Sequence, residues 1–244
     1  MANLIIDAGN SFIKLYVIEN NTIICKFIFE INEKFEIKKI DFLNEYTIYK
    51  CIISTVRNQF DENFLNFLES KFDVFFLSHS MKFPVKINYK IPETLGLDRI
   101  AAVVGASVIL PNTNVLIIDA GTAITFDILN NNGEFLGGII SPGINTRFLA
   151  LNKFTEKLPL ISKCNQKNLL FGQTTEEAII CGVQNGIFYE VKSNINHFQE
   201  KFDDLYIIFT GGDALFFENL FKSCIFAEQN LIAIGLNKIL ELNA

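Results

Sequence analysis

The chain has 244 residues, half of them hydrophobic, which allows one or two domains with a sizeable buried core. Its net charge of −6, with no Lys/Arg run longer than two, argues against a nucleic-acid partner. The longest apolar run, IAAVVGASVIL, is too short for a bilayer, and five scattered cysteines without C-x-x-C read as reduced thiols, so a soluble, cytoplasmic chain is expected.

In chain order, LIIDAGNSFIKLYVIENNTIICKFIFEI holds three β-rich runs broken at Gly9-Asn10-Ser11 and at Asn20-Asn21, an antiparallel meander. CIISTV is a short buried strand, FDENFLNFLESKF has helical spacing of apolar residues, and DVFFLS is another strand. A Pro-bearing extended stretch from His79 to Leu97 leads into a helix, DRIAAVVGASVIL, stopped at Pro111. NVLIIDAGTAITFDILNNNGEFLGGIISPG then repeats strand, turn, strand, Asn-Gly turn, strand. Helices are expected from Asn145 to Phe154 and from Thr174 to Phe202, the second with Ile179, Ile180, Val183, Ile187, Val191 and Ile195 on one apolar face. LYIIFTGGDALFFENLF reads as strand, glycine turn and helix, and NLIAIGLNKILEL as a C-terminal helix. The Phe-rich stretch from Phe27 to Phe42 suggests packing or a mobile edge and no chemistry.

The six residues LIIDAG occur twice, at Leu4–Gly9 and Leu116–Gly121, each opening a meander. The repeat predicts an α/β fold of two duplicated lobes, 1–112 and 113–244, each a mixed sheet with a three-stranded antiparallel meander and flanking helices. The lobes would face a cleft, with the two aspartates on opposite walls.

A carboxylate at the end of a buried strand, followed at once by glycine, suits phosphate and a cation. The strand fixes the acid, and the turn amides point at anionic oxygens. The first copy supplies Asp7, Gly9, Asn10, Ser11 and Lys14; the second supplies Asp119, Gly121, Thr122, Thr125 and Asp127. Either copy alone also reads as an ordinary hairpin whose Asp caps the turn. Gly211 and Gly212 in FTGGDA would let a nucleotide lie at a helix N-terminus, and GGIISPG closes the second meander with backbone freedom. No Walker A and no G-x-G-x-x-G is present, which disfavours P-loop and Rossmann folds. The two histidines, His79 and His197, lie outside any metal-ligand spacing and read as surface or loop residues.

In YKIPETLGLDRIAAVVGA, Asp98 and Arg99 fall at a helix start. Asp98 can be an N-cap, or it can take a hydroxyl proton. An arginine in the first turn opposes the macrodipole, which is less anomalous if an anionic substrate sits there too, and Gly96 allows close approach. Thr174 and Glu177 have capping-box spacing, while Thr175 could offer its hydroxyl to a ligand.

Taken together, DAGNS, YKIPETLGLDR, DAGTAITFD, GGIISPG, GQTTEEAIICG and TGGDA resemble, in order and spacing, the type III pantothenate kinases. That family belongs to the superfamily of acetate and sugar kinases, heat-shock chaperones and actin, so the resemblance implies two ribonuclease H-like, actin-like lobes. It implies ATP-dependent phosphorylation of pantothenate to 4′-phosphopantothenate, the first step toward coenzyme A. By the family pattern Asp7, Ala8, Gly9, Asn10, Ser11, Phe12, Ile13 and Lys14 would bind ATP, with Thr122, Gly211 and Gly212, and Asp7 would also bind magnesium. Asp98 would be the catalytic proton acceptor. Tyr89, Gly96, Leu97, Asp98, Arg99 and Thr175 would bind pantothenate, and Asp119 a monovalent cation, potassium or ammonium. A homodimer is implied, without nucleic acid or membrane. Two departures are small: Asn-Ser stands where many members have Asn-Thr, and VQN replaces the usual small residues between Gly182 and Gly186.

Two other readings stay open. A nucleotide-dependent scaffold or regulator would keep both LIIDAG turns and TGGDA but would not need Tyr89, Asp98 and Arg99. A sugar kinase of the same superfamily would carry a different acceptor motif.

Overall fold

Leu4, Ile5 and Ile6 are all fully buried, so the first LIIDAG run forms a central strand covered on both faces. In the computed structural model, which describes residues 2–9, 12–30, 37–56, 61–164, 170–218, 221 and 225–244, this run is β1 (Ala2–Ala8). It pairs antiparallel with β2 (Phe12–Glu19), which pairs antiparallel with β3 (Thr22–Glu30). Asn20 and Asn21, at φ 50° and 60°, make the β2–β3 turn; both take the left-handed conformation that a tight hairpin needs and that Asn tolerates. On its other side β1 pairs parallel with β4 (Ile48–Thr55), and β4 with β5 (Asp73–Phe76), giving the order β3-β2-β1-β4-β5.

One face of this sheet buries Leu4, Ile6, Leu15, Val17, Cys51 and Ile53 with Phe64 and Leu68 of α1 (Glu62–Lys71), whose N-cap Asp61 accepts from Phe64 N at 2.9 Å. A 3-10 helix (Ile37–Glu45) adds Ile40 and Leu43 to the same core. Phe27 packs on Phe29 and Phe42, with ring centroids 4.6 and 5.3 Å apart, so the described part of the Phe-rich stretch is a packing element. α2 (Leu97–Ile109) packs on α6 (Leu231–Asn243), and α6 also touches β1 and β4. The two helices approach through glycines: a Cβ at Gly105 would lie 2.1 Å from Leu231 O, and one at Gly235 1.8 Å from Ala101 O.

The chain divides by its contacts into two units, the first comprising Met1–Pro111, Gly133–Phe135 and Asn230–Ala244, the second Asn112–Asn132 and Leu136–Gln229. The Pro-bearing stretch before α2 contains a strand that its sequence hides, β6 (Lys86–Ile87). β6 pairs parallel with Glu134 and Phe135, the first residues of β9 (Glu134–Pro142), within the first unit.

In the second unit β7 (Val115–Ala120) pairs antiparallel with β8 (Ala123–Leu129) and parallel with β10 (Tyr206–Thr210). A three-residue strand absent from the sequence reading, β11 (Ile225–Ala227), joins β10 in parallel. The order of this unit's strands is β11-β10-β7-β8-β9. With β6 set aside as an addition beyond β9, both sheets run third, second, first, fourth, fifth strand, and the LIIDAG repeat marks a duplication of topology as well as of sequence.

α3 (Ile144–Lys153), α4 (Thr175–Gln199) and α5 (Ala214–Glu218) cover this sheet. Ile179, Val183, Ile187, Val191 and Ile195 of α4 enter the core as their spacing predicts, with Ile180 packed at its edge. Gln184, in the VQN segment, is buried and clasps Cys164 through both backbone atoms, accepting from its N at 3.0 Å and donating to its O at 3.1 Å. Among the described residues, no helix is long and apolar enough to cross a membrane.

Candidate active site

In the first unit the site grows from the end of β1. Strand pairing sets Asp7 directly across from Lys14 of β2 on one side and Ser54 of β4 on the other. Lys14 Nζ lies 3.9 Å from Asp7 Oδ2. Burial pushes the Asp7 carboxyl above its ordinary pKa; Lys14 pulls it down and the Asp98 carboxylate pushes it up again. Asp7 and Asp98, about ninety residues apart in sequence, are thus electrostatic neighbours. A carboxylate short of positive charge in an apolar setting fits a cation. Beyond Asp7 the turn closes through Gly9 N donating to Phe12 O at 3.0 Å. Ala8 is buried and Ile13 packs against the core, so both can offer a ligand only backbone, while Phe12 is exposed. Asn10 and Ser11 lie outside the described residues.

The acceptor motif differs from expectation at its cap. The N-cap of α2 is Gly96, not Asp98; Asp98 sits within the first turn, where its charge suits the macrodipole. Its Oδ1 folds back to accept from Arg99 N at 2.9 Å, occupying the space where a Gly96 Cβ would come within 2.6 Å. Leu97 opens the helix, and His79 Nε2 meets Leu95 O at 2.8 Å just before it.

Arg99 is buried, with its guanidinium carbon 6.0 Å from the Tyr89 ring centroid and 5.8 Å from that of Phe135. The two rings stack at 6.1 Å with an interplanar angle of 19°. Phe135 was not among the sequence candidates. It arrives through β6–β9 pairing, and nothing near it in sequence marks it as part of this group.

The second unit repeats the first with one chemical change. Asp119 stands across from Thr125 of β8 and Thr210 of β10, so a hydroxyl takes the place that Lys14 holds in the first copy. The glycine turn after β10 folds onto this strand end: Gly211 has φ +88°, and a Cβ there would lie 2.3 Å from Asp119 Oδ1. Asp213 N donates to Ala120 O at 2.9 Å, and the buried Asp213 carboxylate is ion-paired with Lys163, a second partner that the sequence did not announce. Thr122 is held at the start of α3: Gly143 N and Thr146 Oγ1 donate to its carbonyl at 3.0 and 2.6 Å.

Thr174 and Glu177 form the predicted capping box. Thr175 borders an apolar pocket of about 860 Å³ between α3 and α4, lined also by Arg147, Leu151, Phe154, Leu158 and Ile179. Arg147 is held there through Nε and Nη2, donating to Pro142 O, Ser141 Oγ and Glu190 Oε2 at 2.8, 3.0 and 2.5 Å. Among the described residues no three His, Cys, Asp or Glu side chains converge as a metal cluster.

Residues 3–197 match the family model of the type III pantothenate kinases. The chain is 43% identical to the type III pantothenate kinase of Christiangramia forsetii, over 99% of this chain and 98% of that one. A solved structure of a conserved Baf family protein from Campylobacter jejuni is 27% identical with a TM-score of 0.64, covering 98% of this chain and 97% of that one. The activator of 2-hydroxyisocaproyl-CoA dehydratase from Clostridium difficile, solved with ADPNP bound, is 16% identical with a TM-score of 0.55, covering 99% of this chain and 96% of that one; it shares the fold.

Proposed function

The chain belongs to the type III pantothenate kinase family, whose reaction is ATP-dependent phosphorylation of pantothenate on the route to coenzyme A, and on that premise we propose how its residues carry the transfer. The pantothenate hydroxyl oxygen attacks the γ-phosphorus of ATP, the bond to the ADP oxygen breaks, and Asp98 accepts the hydroxyl proton. Phosphoryl transfer has a loose transition state, so positioning and charge neutralisation supply most of the rate.

Asp7 is the side chain that would hold magnesium, which would supply charge neutralisation on the phosphates. Its raised pKa supports this role, since a buried acid beside a second acid is relieved by a cation. Lys14 and the turn amides of Gly9, Asn10 and Ser11 meet phosphate oxygens, with Thr122 and the Gly211-Gly212 turn on the nucleotide. Asp119 holds a monovalent cation, potassium or ammonium; the hydroxyls of Thr125 and Thr210 beside it suit a weakly charged ion better than a lysine would. Tyr89, Gly96, Leu97, Arg99 and Thr175 bind pantothenate, with Arg99 paired to its carboxylate. The enzyme acts as a cytoplasmic homodimer.

The observation that carries this reading is that Asp7 and Asp98, in one unit, lie near enough for each to feel the other's charge, one acid for the cation and one for the acceptor. The test follows ADP release with pantothenate, with sugars and without acceptor, each with and without potassium. Release that depends on both pantothenate and potassium is expected. Release stimulated by a sugar, or indifferent to any acceptor, would overturn it.

A further inference from the structure

The Arg99 guanidinium lies over two stacked rings, and only one of them can also serve the substrate. Tyr89 is half-buried and carries a hydroxyl. Phe135 is fully buried and has no polar side-chain atom, so it can act on a ligand only through what it packs against. It reaches Arg99 by a dedicated connection: Ile87 pairs with Phe135, Asn88 N donates to Phe135 O at 3.0 Å, Lys86 N donates to Gly133 O at 2.9 Å, and Lys86 Nζ binds Glu134 at 2.7 Å. Residues 133–135 thereby belong to the first unit although the chain on either side of them belongs to the second.

We infer that Phe135 is the positioning residue for Arg99, an inference that rests on the reading of Arg99 as the pantothenate-binding cation. An arginine in the first turn of a helix faces the positive end of the dipole, and its long side chain has many rotamers. The negative faces of two rings at 5.8 and 6.0 Å favour the cation there over its other rotamers. Removing the Phe135 face takes away one of the contacts that hold the guanidinium in its bound orientation. The cost of ordering it then falls on substrate binding and not on the chemical step.

The experiment replaces Phe135 by Leu and by Met, both of which lose the ring, and by Tyr, which keeps it. kcat and KM for pantothenate and for ATP are measured in the wild-type and Arg99→Ala backgrounds, with thermal melts confirming folding. Phe135→Leu should raise KM for pantothenate about threefold to tenfold, the range of one partly desolvated cation–ring contact. kcat and KM for ATP should stay within about twofold, Phe135→Tyr should restore the wild-type KM, and Phe135→Leu should add nothing in the Arg99→Ala background. Phe135→Met gives the same reading if the leucine variant does not fold. An unchanged KM, or an increase of equal size in both backgrounds, overturns the positioning role. If Arg99→Ala itself leaves KM for pantothenate unchanged, the substrate reading of Arg99 fails instead.

Discussion

Asp7 and Lys14 face each other across the β1–β2 ladder with 3.9 Å between Nζ and Oδ2, yet the lysine does not bring the acid back to its ordinary titration. Burial outweighs the pair, and Asp98 adds a second negative charge. Asp7 is therefore a buried carboxylate that Lys14 alone does not satisfy, and a cation beside it would relieve both its burial and its repulsion from Asp98.

The ligand-free protein should become more stable when that charge is removed. An acid raised in the folded state favours the fold while protonated, below its ordinary value of 3.8, and that contribution is lost as the pH rises through the raised value. Asp7→Asn should thus melt above wild type at pH 7 by an amount on the order of 1 kcal/mol, some 2–4 °C, with the gap closing toward pH 4. The same variant should lose phosphotransfer. A lower melting point at pH 7 would mean that the contact with Lys14 outweighs burial.

Asp98→Asn should lower turnover by about a hundredfold or more while pantothenate still binds, the range expected for loss of a general base. Rapid-quench single turnovers isolate the chemical step. Because the Asp98 charge also lifts Asp7, this variant should lower the Asp7 titration, a shift that carbon-13 NMR of labelled aspartates would detect.

Gly211→Ala should harm the Asp119 side of the reaction selectively. Alanine at φ +88° is strained, and its Cβ would fall 2.3 Å from Asp119 Oδ1. A stability loss of ~1–3 kcal/mol is expected together with a displaced carboxylate. Initial rates against potassium should show the half-activation concentration rising well before the magnesium dependence moves. An unaltered potassium response would separate Asp119 from the ion.

Lys163→Met strands the buried Asp213 carboxylate behind the glycine turn. With Lys163 partly exposed to screening solvent, the expected cost is about 1–3 kcal/mol in urea unfolding. Replacing both partners with apolar residues should recover part of it. A single-variant cost below about 0.5 kcal/mol would mark the pair as a surface contact of no consequence.

Much of the fold was legible because its signals are local. The two LIIDAG runs, the Asn20-Asn21 turn, the Thr174–Glu177 box and the apolar stripe of α4 each act within a few residues, where backbone conformation and burial leave a regular mark. Asp7, Lys14 and Ser54 meet by strand register once those strands form. β6 and β11 went unseen because two or three residues carry no periodicity. Asp98 looked like a cap because the helix start is uncertain by a residue or two in any sequence reading, and the glycine before it took that place.

The amino-acid sequence by itself determined the repeated three-stranded meander and which side chains bear charge at each strand end and helix start. Only the tertiary structure decided what these charges face, Phe135 beside Arg99 and Lys163 on Asp213, and which distant segments pack together, Gln184 around Cys164 and α6 laid glycine to glycine on α2. Local choices are dictated by a residue's own backbone and near neighbours. Partners distant in sequence are selected by burial and three-dimensional geometry, and many side chains of the same kind elsewhere in the chain are equally good candidates on paper.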